Sequence, residues 1–160
     1  NLLSPIADAA QQTILTSHLS LHQLRDQVKQ KVSQESKTGL SLLFCSFGFK
    51  HGIPVNADVV YDVRCLPNPH WIPQLRPHTG LDASVIEYLE HQPMVQDMLG
   101  DIKSYLDKWL PRFIANNRSY MTVAIGCTGG QHRSVFLTEQ LGHHYKNIYK
   151  QTLIRHRELK

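Results

Sequence analysis

Residues 121–134 read MTVAIGCTGGQHRS, and this stretch decides the fold that the rest of the sequence implies. Its first half is apolar and rich in β-branched residues, which is typical of a buried strand. The residues that follow, VFLTEQL at 135–141, have one apolar face and predict a helix. A strand that enters a short loop and then a helix is a common anion-binding geometry, because backbone N–H groups and the helix dipole both favour negative charge there.

The loop itself has further features that favour an anion. Gly129 and Gly130 allow the backbone to curl closely around a ligand. Arg133 can donate two parallel hydrogen bonds to one phosphate. The alternative is a plain strand-to-helix turn without a ligand. The residues of the predicted phosphate-binding loop are Cys127, Thr128, Gly129, Gly130, Gln131, His132 and Arg133.

The composition is that of a globular domain. With 160 residues, of which 41% are hydrophobic, the chain can form one domain with a substantial core. No apolar run reaches the length of a membrane span and no secretory signal is visible, so we expect a cytoplasmic protein without membrane contact. The three cysteines, Cys45, Cys65 and Cys127, form no disulfide framework, and no metal-ligand spacing is apparent.

Two other segments are predicted to end beside the loop. One apolar strand leads to Lys50 and His51, and the next strand ends at Asp62 and Arg64. Ligand crevices of parallel α/β sheets lie at the carboxyl ends of the strands. We therefore expect these four residues near the phosphate-binding loop, with Asp62 and Arg64 as part of the ligand pocket. A structural ion pair between Asp62 and Arg64 is an equal alternative.

Residues 65–80 are rich in proline and lack periodicity, which predicts a long ordered loop. This loop carries His70, Trp71, Arg76 and His78. Interleaved aromatic and basic side chains suit RNA, which proteins bind by stacking and by phosphate contacts. The alternative is a proline-stiffened cover over the core, with Trp71 as its anchor.

Basic residues are concentrated at the end of the sequence. Residues 81–109 carry six acids and two bases. Residues 146–160 carry five bases and one acid, and their net charge of +4 equals that of the whole chain. Such a cluster suits a phosphate backbone, although it could also protect a solvated edge strand. The residues predicted to contact RNA are Lys50, His51, Arg64, His70, Arg76, Lys146, Lys150, Arg155, Arg157 and Lys160.

Four blocks of sequence, in this order, resemble the C-terminal domain of the RapZ (YvcJ-like) family of RNase adapter proteins. They are FGFKHG at 47–52, DVR at 62–64, LPNPHW at 66–71 and GCTGGQHRS at 126–134. The resemblance implies a domain that presents a small regulatory RNA to RNase E and senses glucosamine-6-phosphate as an effector at the loop. It further implies that Asn116 and Ser119 help to line the sugar-phosphate pocket and that the protein forms homo-oligomers.

In the same family a P-loop domain, which binds ATP or GTP, precedes this domain. The present sequence has no G-x-x-x-x-G-K-[ST] motif and does not begin with methionine. We therefore expect residues 1–36 to be the tail of a truncated nucleotide-binding domain and a linker. Residues 37–160 are expected to be the RNA-binding and sugar-phosphate-sensing domain. Within the first part, a strand at 12–15 and a helix capped by Ser20 are predicted.

The predicted fold is three-layer α/β with a central, mostly parallel sheet. Its strands are predicted at 40–47, 58–64, 121–126 and 150–156, with helices at 82–90 and from 93 onwards. The second helix contains a proline at 111, which should kink or loosen its last turns. Its core stripe is predicted to consist of Val95, Met98, Ile102, Tyr105, Trp109 and Phe113.

An enzyme is the alternative function. The spacing C-x-x-G-x-x-R-S also resembles the phosphate loop of cysteine phosphatases, with Cys127 as nucleophile and Arg133 as phosphate ligand. The sequence offers no convincing general acid, because Asp62 lies next to Arg64, which favours its ionised form. We therefore expect a binding domain with no catalytic residue and no cofactor in this chain.

Overall fold

A computed structural model describes residues 39–159 and, ahead of them, Ser17, Ser20, Leu21, Leu24 and Arg25. The chain divides into two compact units, residues 1–38 and residues 39–160. In the first unit the Leu24 N–H donates to the Ser20 carbonyl at 2.9 Å, in keeping with a helix that begins after Ser20. The predicted strand at 12–15 lies outside the described residues, and the predicted domain assignment stays a prediction.

A four-stranded parallel sheet forms the centre of the second unit. Its strands are β1 (Ser41–Gly48), β2 (Val59–Asp62), β3 (Tyr120–Cys127) and β4 (Thr152–His156). Their order is β2-β3-β1-β4, and every neighbouring pair is parallel. The sheet is flanked by helices, which confirms the predicted α/β class and is consistent with a three-layer fold. Strand β2 is shorter than predicted because the chain turns at Asp62, whose Oδ1 accepts a hydrogen bond from the Arg64 N–H at 3.0 Å.

The helices pack on alternate residues of the strands. They are α1 (Ala83–Glu90), α2 (Pro93–Ala115) and α3 (Arg133–Lys146). Phe44 of β1 and Val123 and Ile125 of β3 point to the same face and join the helices in one hydrophobic core. None of the helices among the described residues is both long enough and apolar enough to cross a bilayer.

The buried stripe of α2 differs from the predicted one. It consists of Val95, Leu99, Ile102, Leu106 and Leu110. The predicted members Tyr105 and Trp109 are instead 40% and 36% exposed. The aliphatic residues, spaced three and four apart, face the core, whereas Tyr105 flanks this row and packs edge-on against Tyr61. The helix also continues for four residues beyond Pro111.

The carboxyl ends of the parallel strands lie side by side and form the carboxyl edge of the sheet. Gly48 is paired with Cys127, and Asp62 is paired with Gly126. The segments that follow β1, β2 and β3 therefore lie together, as predicted. Ser119 lies at the opposite edge, where its carbonyl accepts a hydrogen bond from the Ser41 N–H at 2.9 Å.

Strand β4 is the outermost strand of the sheet, and hydrogen-bonded polar side chains connect it to its neighbours. His156 Nδ1 lies 2.8 Å from Ser46 Oγ, and its Nε2 lies 2.7 Å from a carboxylate oxygen of Glu139 on α3. The order Ser-His-Glu is that of a hydrolase triad, but Ser46 has no exposed surface, so a substrate cannot reach its hydroxyl. These contacts instead fix the end of β4, and with it the residues that follow.

Candidate anion-binding site

The loop between β3 and α3 curls around the Cys127 thiol. The Gly130 N–H donates to Cys127 Sγ at 3.3 Å, and Ser134 Oγ on α3 lies 3.2 Å from the same sulfur. Gly130 has a φ of 74°, and a Cβ at this position would lie 2.7 Å from the backbone nitrogen of Gly48. Both the left-handed backbone and the close approach require glycine. The predicted strand, loop and helix are therefore all present.

Arg133, at the start of α3, has a buried guanidinium group without a carboxylate partner among the described residues. The side chain is only 3% exposed. Its Nη1 donates to the carbonyls of Arg64 and Leu66 at 2.6 and 2.9 Å, and its Nη2 lies 3.5 Å from Thr128 Oγ1. Its Nε is buried and has no hydrogen-bond partner. Burying a cation is costly unless an anion compensates it, so this side chain is suited to a negatively charged ligand.

A cavity of about 530 Å³ opens beside this guanidinium. Three cationic side chains, Lys50, Arg76 and Arg133, contribute to its wall, and no aspartate or glutamate among the described residues does. The described residues that line it are Lys50, Asn68, His70, Trp71, Arg76, Pro77, His78, Cys127, Thr128, Gly129, Gln131, His132 and Arg133. The field in the cavity therefore favours anions.

The segment 65–80 folds back over the loop and closes one side of the cavity. It contains a 3₁₀ turn, Pro69–Trp71, which is capped by Asn68. At its far end the Gly80 N–H donates to the Gln131 carbonyl at 2.8 Å. The segment thus brings His70 and Arg76 to the cavity wall, and Arg76 Nε donates to the His70 carbonyl at 2.9 Å.

His132 is a buried titratable group in the cavity wall. It is 7% exposed, and its Nε2 has no hydrogen-bond partner. Burial lowers the pKa of His132 below its ordinary value of 6.5, although the nearby carbonyls of His78 and Arg76 partly oppose the effect. The ring is therefore neutral near pH 7, and a bound anion would favour its protonated form.

The pKa of Cys127 is set by opposing effects. Burial raises the pKa of the thiol, whereas the hydrogen bonds from Ser134 and Gly130 and the charge of Arg133 lower it. The lowering effects are larger in sum, and the pKa lies below its ordinary value of 9.0. Groups that stabilise a thiolate would stabilise a bound anion in the same way.

Most of the loop residues predicted to hold the sugar phosphate line the cavity. They are Cys127, Thr128, Gly129, Gln131, His132 and Arg133. Gly130 instead packs behind the loop, against Gly48 and Glu158. Asn116 and Ser119 precede β3, at the opposite edge of the sheet from the loop. The expectation that these two residues line the pocket is therefore not met, because the length of β3 separates them from it.

Asp62 and Arg64 form an ion pair, which is one of the two alternatives that the sequence left open. Arg64 Nη2 lies 2.6 Å from Asp62 Oδ2, and both side chains are about half exposed. The hydrogen bonds from Arg64 lower the pKa of Asp62 despite some desolvation. The Arg64 guanidinium also lies 4.0 Å from the centre of the Phe49 ring. Neither side chain lines the cavity. Arg64 contributes to the site only through its backbone carbonyl, which accepts a hydrogen bond from Arg133.

The residues predicted to bind RNA occupy two different places. Lys50, His70 and Arg76 line the cavity. Lys146, Lys150 and Arg155 are exposed beyond the cavity, and Lys160 lies outside the described residues. His51 Nε2 lies 4.0 Å from Glu158 Oε2.

Arg157 is occupied by contacts within the domain. It pairs with Glu158 at 2.7 Å and donates to the Gly48 and Gly52 carbonyls at 3.2 and 2.7 Å. Its guanidinium also lies 5.4 Å from the centre of the Phe47 ring. These contacts engage its guanidinium within the domain, and its assignment to RNA stays a prediction.

Four cavity residues were not assigned to a site from the sequence. Asn68, Trp71, Pro77 and His78 line the cavity, all from the segment that the sequence predicted to be a functional loop. The available signal was the Asn-Pro pair at 68–69, which is typical of a turn. This signal locates the turn but does not reveal its position over the Cys127 loop.

These features define an α/β domain whose candidate ligand site lies at the carboxyl edge of a parallel sheet. The profile of one protein family, the RapZ C-terminal domain, matches residues 40–160. The chain belongs to this family, which confirms the resemblance seen in the sequence.

Curated relatives match almost the whole chain. A nucleotide-binding protein of Cellvibrio japonicus (strain Ueda107) is 62% identical over 159 residues, which are 99% of this chain and 54% of that protein. A nucleotide-binding protein of Pseudomonas putida (strain GB-1) is 57% identical over 159 residues, which are 99% of this chain and 56% of that protein. The chain spans about half the length of the curated relatives it matches.

The environment of His132 predicts a pH dependence of stability. Because the pKa of His132 is lowered in the folded state, the unfolded state binds a proton more readily below the ordinary pKa of 6.5. The free energy of unfolding should therefore fall as the pH is lowered from about 7.5 to about 5.5, measured by urea denaturation. A His132→Gln variant should show a weaker dependence, whereas His144→Gln, at an exposed position, should keep that of the wild type. An unchanged dependence in His132→Gln would contradict this account.

Proposed function

We propose that this domain binds glucosamine-6-phosphate at the Cys127 loop and binds a small regulatory RNA through its basic surface. In this proposal it acts as an adapter that presents the RNA to RNase E. The observation that carries the proposal is the buried Arg133 guanidinium, whose Nε has no hydrogen-bond partner and which forms no ion pair with a carboxylate among the described residues. A phosphate group would supply the missing charge and hydrogen-bond acceptor together.

The size and polarity of the cavity support a small phosphorylated ligand. A volume of about 530 Å³ lies within the range of roughly 300–1,000 Å³ that is typical of small-molecule sites. The Cys127 loop and Arg133 would hold the phosphate, whereas Asn68 and His70 offer polar groups to sugar hydroxyls. Hydrogen bonds to charged groups contribute about 1.5–3 kcal/mol each, so the phosphate should dominate the affinity.

The exposed basic residues support the RNA part of the proposal. Lys146, Lys150 and Arg155 are exposed and free to approach a phosphate backbone. Trp71 is 75% exposed and lies beside His70, with the two ring centres 5.8 Å apart. An exposed aromatic ring next to a cavity of cationic side chains is suited to base stacking.

The proposal also covers nucleotide binding, cellular location and assembly. The relatives are named nucleotide-binding proteins, and they are about twice as long as this chain. We assign the binding of ATP or GTP to a P-loop domain of a longer protein, since the present sequence has no such motif. A cytoplasmic location and assembly into homo-oligomers complete the proposal.

A cysteine phosphatase is the second candidate, and the lowered pKa of Cys127 is the observation in its favour. Two observations weigh against it. Among the described residues, no carboxylate lines the cavity to act as a general acid. The Asp62 carboxylate lies outside the cavity and is held ionised by Arg64.

Hydrolysis of an aryl phosphate separates these two candidates. The purified chain should hydrolyse an aryl phosphate no faster than buffer does, because no carboxylic acid among the described residues lines the cavity to protonate the leaving oxygen. The assay should include Cys127→Ser and Cys65→Ser, the latter as a control at an exposed cysteine. Steady turnover that is lost in Cys127→Ser and kept in Cys65→Ser would favour the phosphatase.

Arg133 should dominate the affinity for the sugar phosphate. Replacing it with alanine removes the only cation buried against the loop among the described residues, and we expect binding to weaken at least about tenfold. Calorimetric titration with glucosamine-6-phosphate measures the effect, and thermal unfolding without ligand shows that the variant is folded. Arg112→Ala, on the exposed side of α2, serves as the control. Equal affinity in a folded Arg133→Ala variant would refute the site.

Binding of RNA should be electrostatic and weakened by the sugar phosphate. Replacing Lys150 and Arg155 with alanine should reduce affinity for many RNAs and flatten the salt dependence by roughly one unit per lost phosphate contact. His70→Ala should affect a preferred RNA more than a random one, because His70 lies beside the exposed Trp71. Filter binding at several salt concentrations, with and without glucosamine-6-phosphate, tests both statements.

Two results of that titration would contradict the proposal. An affinity that does not change with salt would exclude the electrostatic interface. An affinity that does not change with saturating sugar phosphate would exclude a shared or coupled site, because any effect of one ligand on the other must be reciprocal.

A further inference from the structure

The residues that follow β4 lie directly behind the Cys127 loop. Glu158 Oε1 accepts a hydrogen bond from the Gly48 N–H at 3.3 Å, and the Glu158 carbonyl accepts one from Gln131 Nε2 at 2.9 Å. Gly48 ends β1, and Gln131 belongs to the loop. Glu158 thus joins a strand of the sheet to the anion-binding loop through its side chain and its backbone.

Two glycines allow this close packing. A Cβ on Gly130 would collide with Cγ of Glu158, and a Cβ on Gly48 would lie 2.7 Å from the carbonyl carbon of Gly129. The end of β1, the loop and Glu158 therefore form three layers in van der Waals contact. A change in the position of Glu158 would be transmitted to the loop, because packed groups leave no room for independent movement.

Glu158 is itself held in place by Arg157 and lies close to His51. Arg157 Nε donates to its Oε1 at 2.7 Å, and His51 Nε2 lies 4.0 Å from its Oε2. The same Arg157 side chain donates to the carbonyls of Gly48 and Gly52, and its own N–H donates to the Ser46 carbonyl at 3.0 Å. The pair Arg157–Glu158 is therefore attached to β1 at several points.

We propose that Glu158 is a positioning residue for the anion-binding loop, held by Arg157, and that it keeps the loop in the shape that receives the ligand phosphate. This inference rests on the proposed function for the identity of that ligand. It also gives Arg157 a role in sugar-phosphate binding that is separate from the exposed bases Lys150 and Arg155. A preformed loop binds more tightly because ordering it costs nothing at the moment of binding.

The sign of the mutational effect distinguishes positioning from simple charge. Glu158 carries a negative charge behind a loop that binds anions, so by Coulomb attraction and repulsion alone its removal should tighten binding. If Glu158 positions the loop, its removal should weaken binding despite this gain. A glutamine at the same place keeps the hydrogen-bond acceptor for Gly48 and removes the charge, and it should therefore bind well.

The test is calorimetric titration of the full chain with glucosamine-6-phosphate and with inorganic phosphate. We expect Glu158→Ala to weaken both affinities by about tenfold, and Glu158→Gln to restore them to within about threefold of the wild type. Glu90→Ala, at an exposed position of α1, controls for the loss of one negative charge. Thermal unfolding without ligand, measured for each variant, confirms that the compared proteins are folded.

Two outcomes would overturn the inference: an affinity of Glu158→Ala equal to or tighter than that of the wild type, or an affinity of Glu158→Gln as weak as that of Glu158→Ala. Failure of the proposed function gives a different result, because the wild-type chain would then bind neither ligand. Arg157→Ala provides an independent comparison with Arg112→Ala. We expect Arg157→Ala to weaken phosphate binding, whereas Arg112→Ala, at an exposed position of α2, leaves it unchanged.

Discussion

The buried guanidinium of Arg133 is the constraint on which the site depends. One of its nitrogens holds the carbonyls of Arg64 and Leu66, so the segment after β2 is attached to the start of α3. The same group approaches Thr128 in the loop and leaves its Nε without a partner. A cation in this position stabilises the fold through backbone carbonyls and still has unsatisfied hydrogen-bonding capacity. That combination is what a ligand-binding arginine requires and a purely structural arginine does not.

The loop around this group packs closely against the end of β1 and against Glu158. Gly48 and Gly130 permit backbone contact where any side chain would collide, and Glu158 fills the space behind them. In front, segment 65–80 forms the opposite wall of the cavity and contributes His70 and Arg76. The cavity is thus bounded by three parts of the chain that are distant in sequence, which the parallel sheet brings to one edge. The same arrangement explains why the charge of the wall is positive although the charge of the whole chain is modest.

The local parts of this structure and the convergence of the strand ends could be predicted from the sequence, whereas the surroundings of single side chains could not. The strand, loop and helix at 121–146 follow from apolar patterning and glycine placement, which act over neighbouring residues. The stripe of α2 was predicted only in part. Val95 and Ile102 are buried, but Tyr105 and Trp109, which are aromatic residues at the same helical spacing, are exposed, and leucines are buried in their place. The direction that a helix presents to the core depends on its packing partners, and the sequence of the helix alone does not contain them.

The assignments of single charged residues show the same limit. Arg155 and Arg157 look alike in the basic cluster, but Arg155 is exposed whereas Arg157 is bound to Glu158 and to two carbonyls near β1. Asn116 lies close to the start of β3 in sequence and still far from the loop, because an eight-residue strand separates them. Charge and proximity in sequence therefore locate a candidate site, and only the fold decides which side chains reach it.

A crystal structure of the chain with bound glucosamine-6-phosphate tests the central claim most directly. The account predicts that phosphate oxygens lie within about 3 Å of Arg133 Nε and of the backbone N–H groups of the Cys127 loop, with the sugar toward His70. A sugar phosphate bound elsewhere on the domain, with Arg133 Nε still facing no anion, would contradict it.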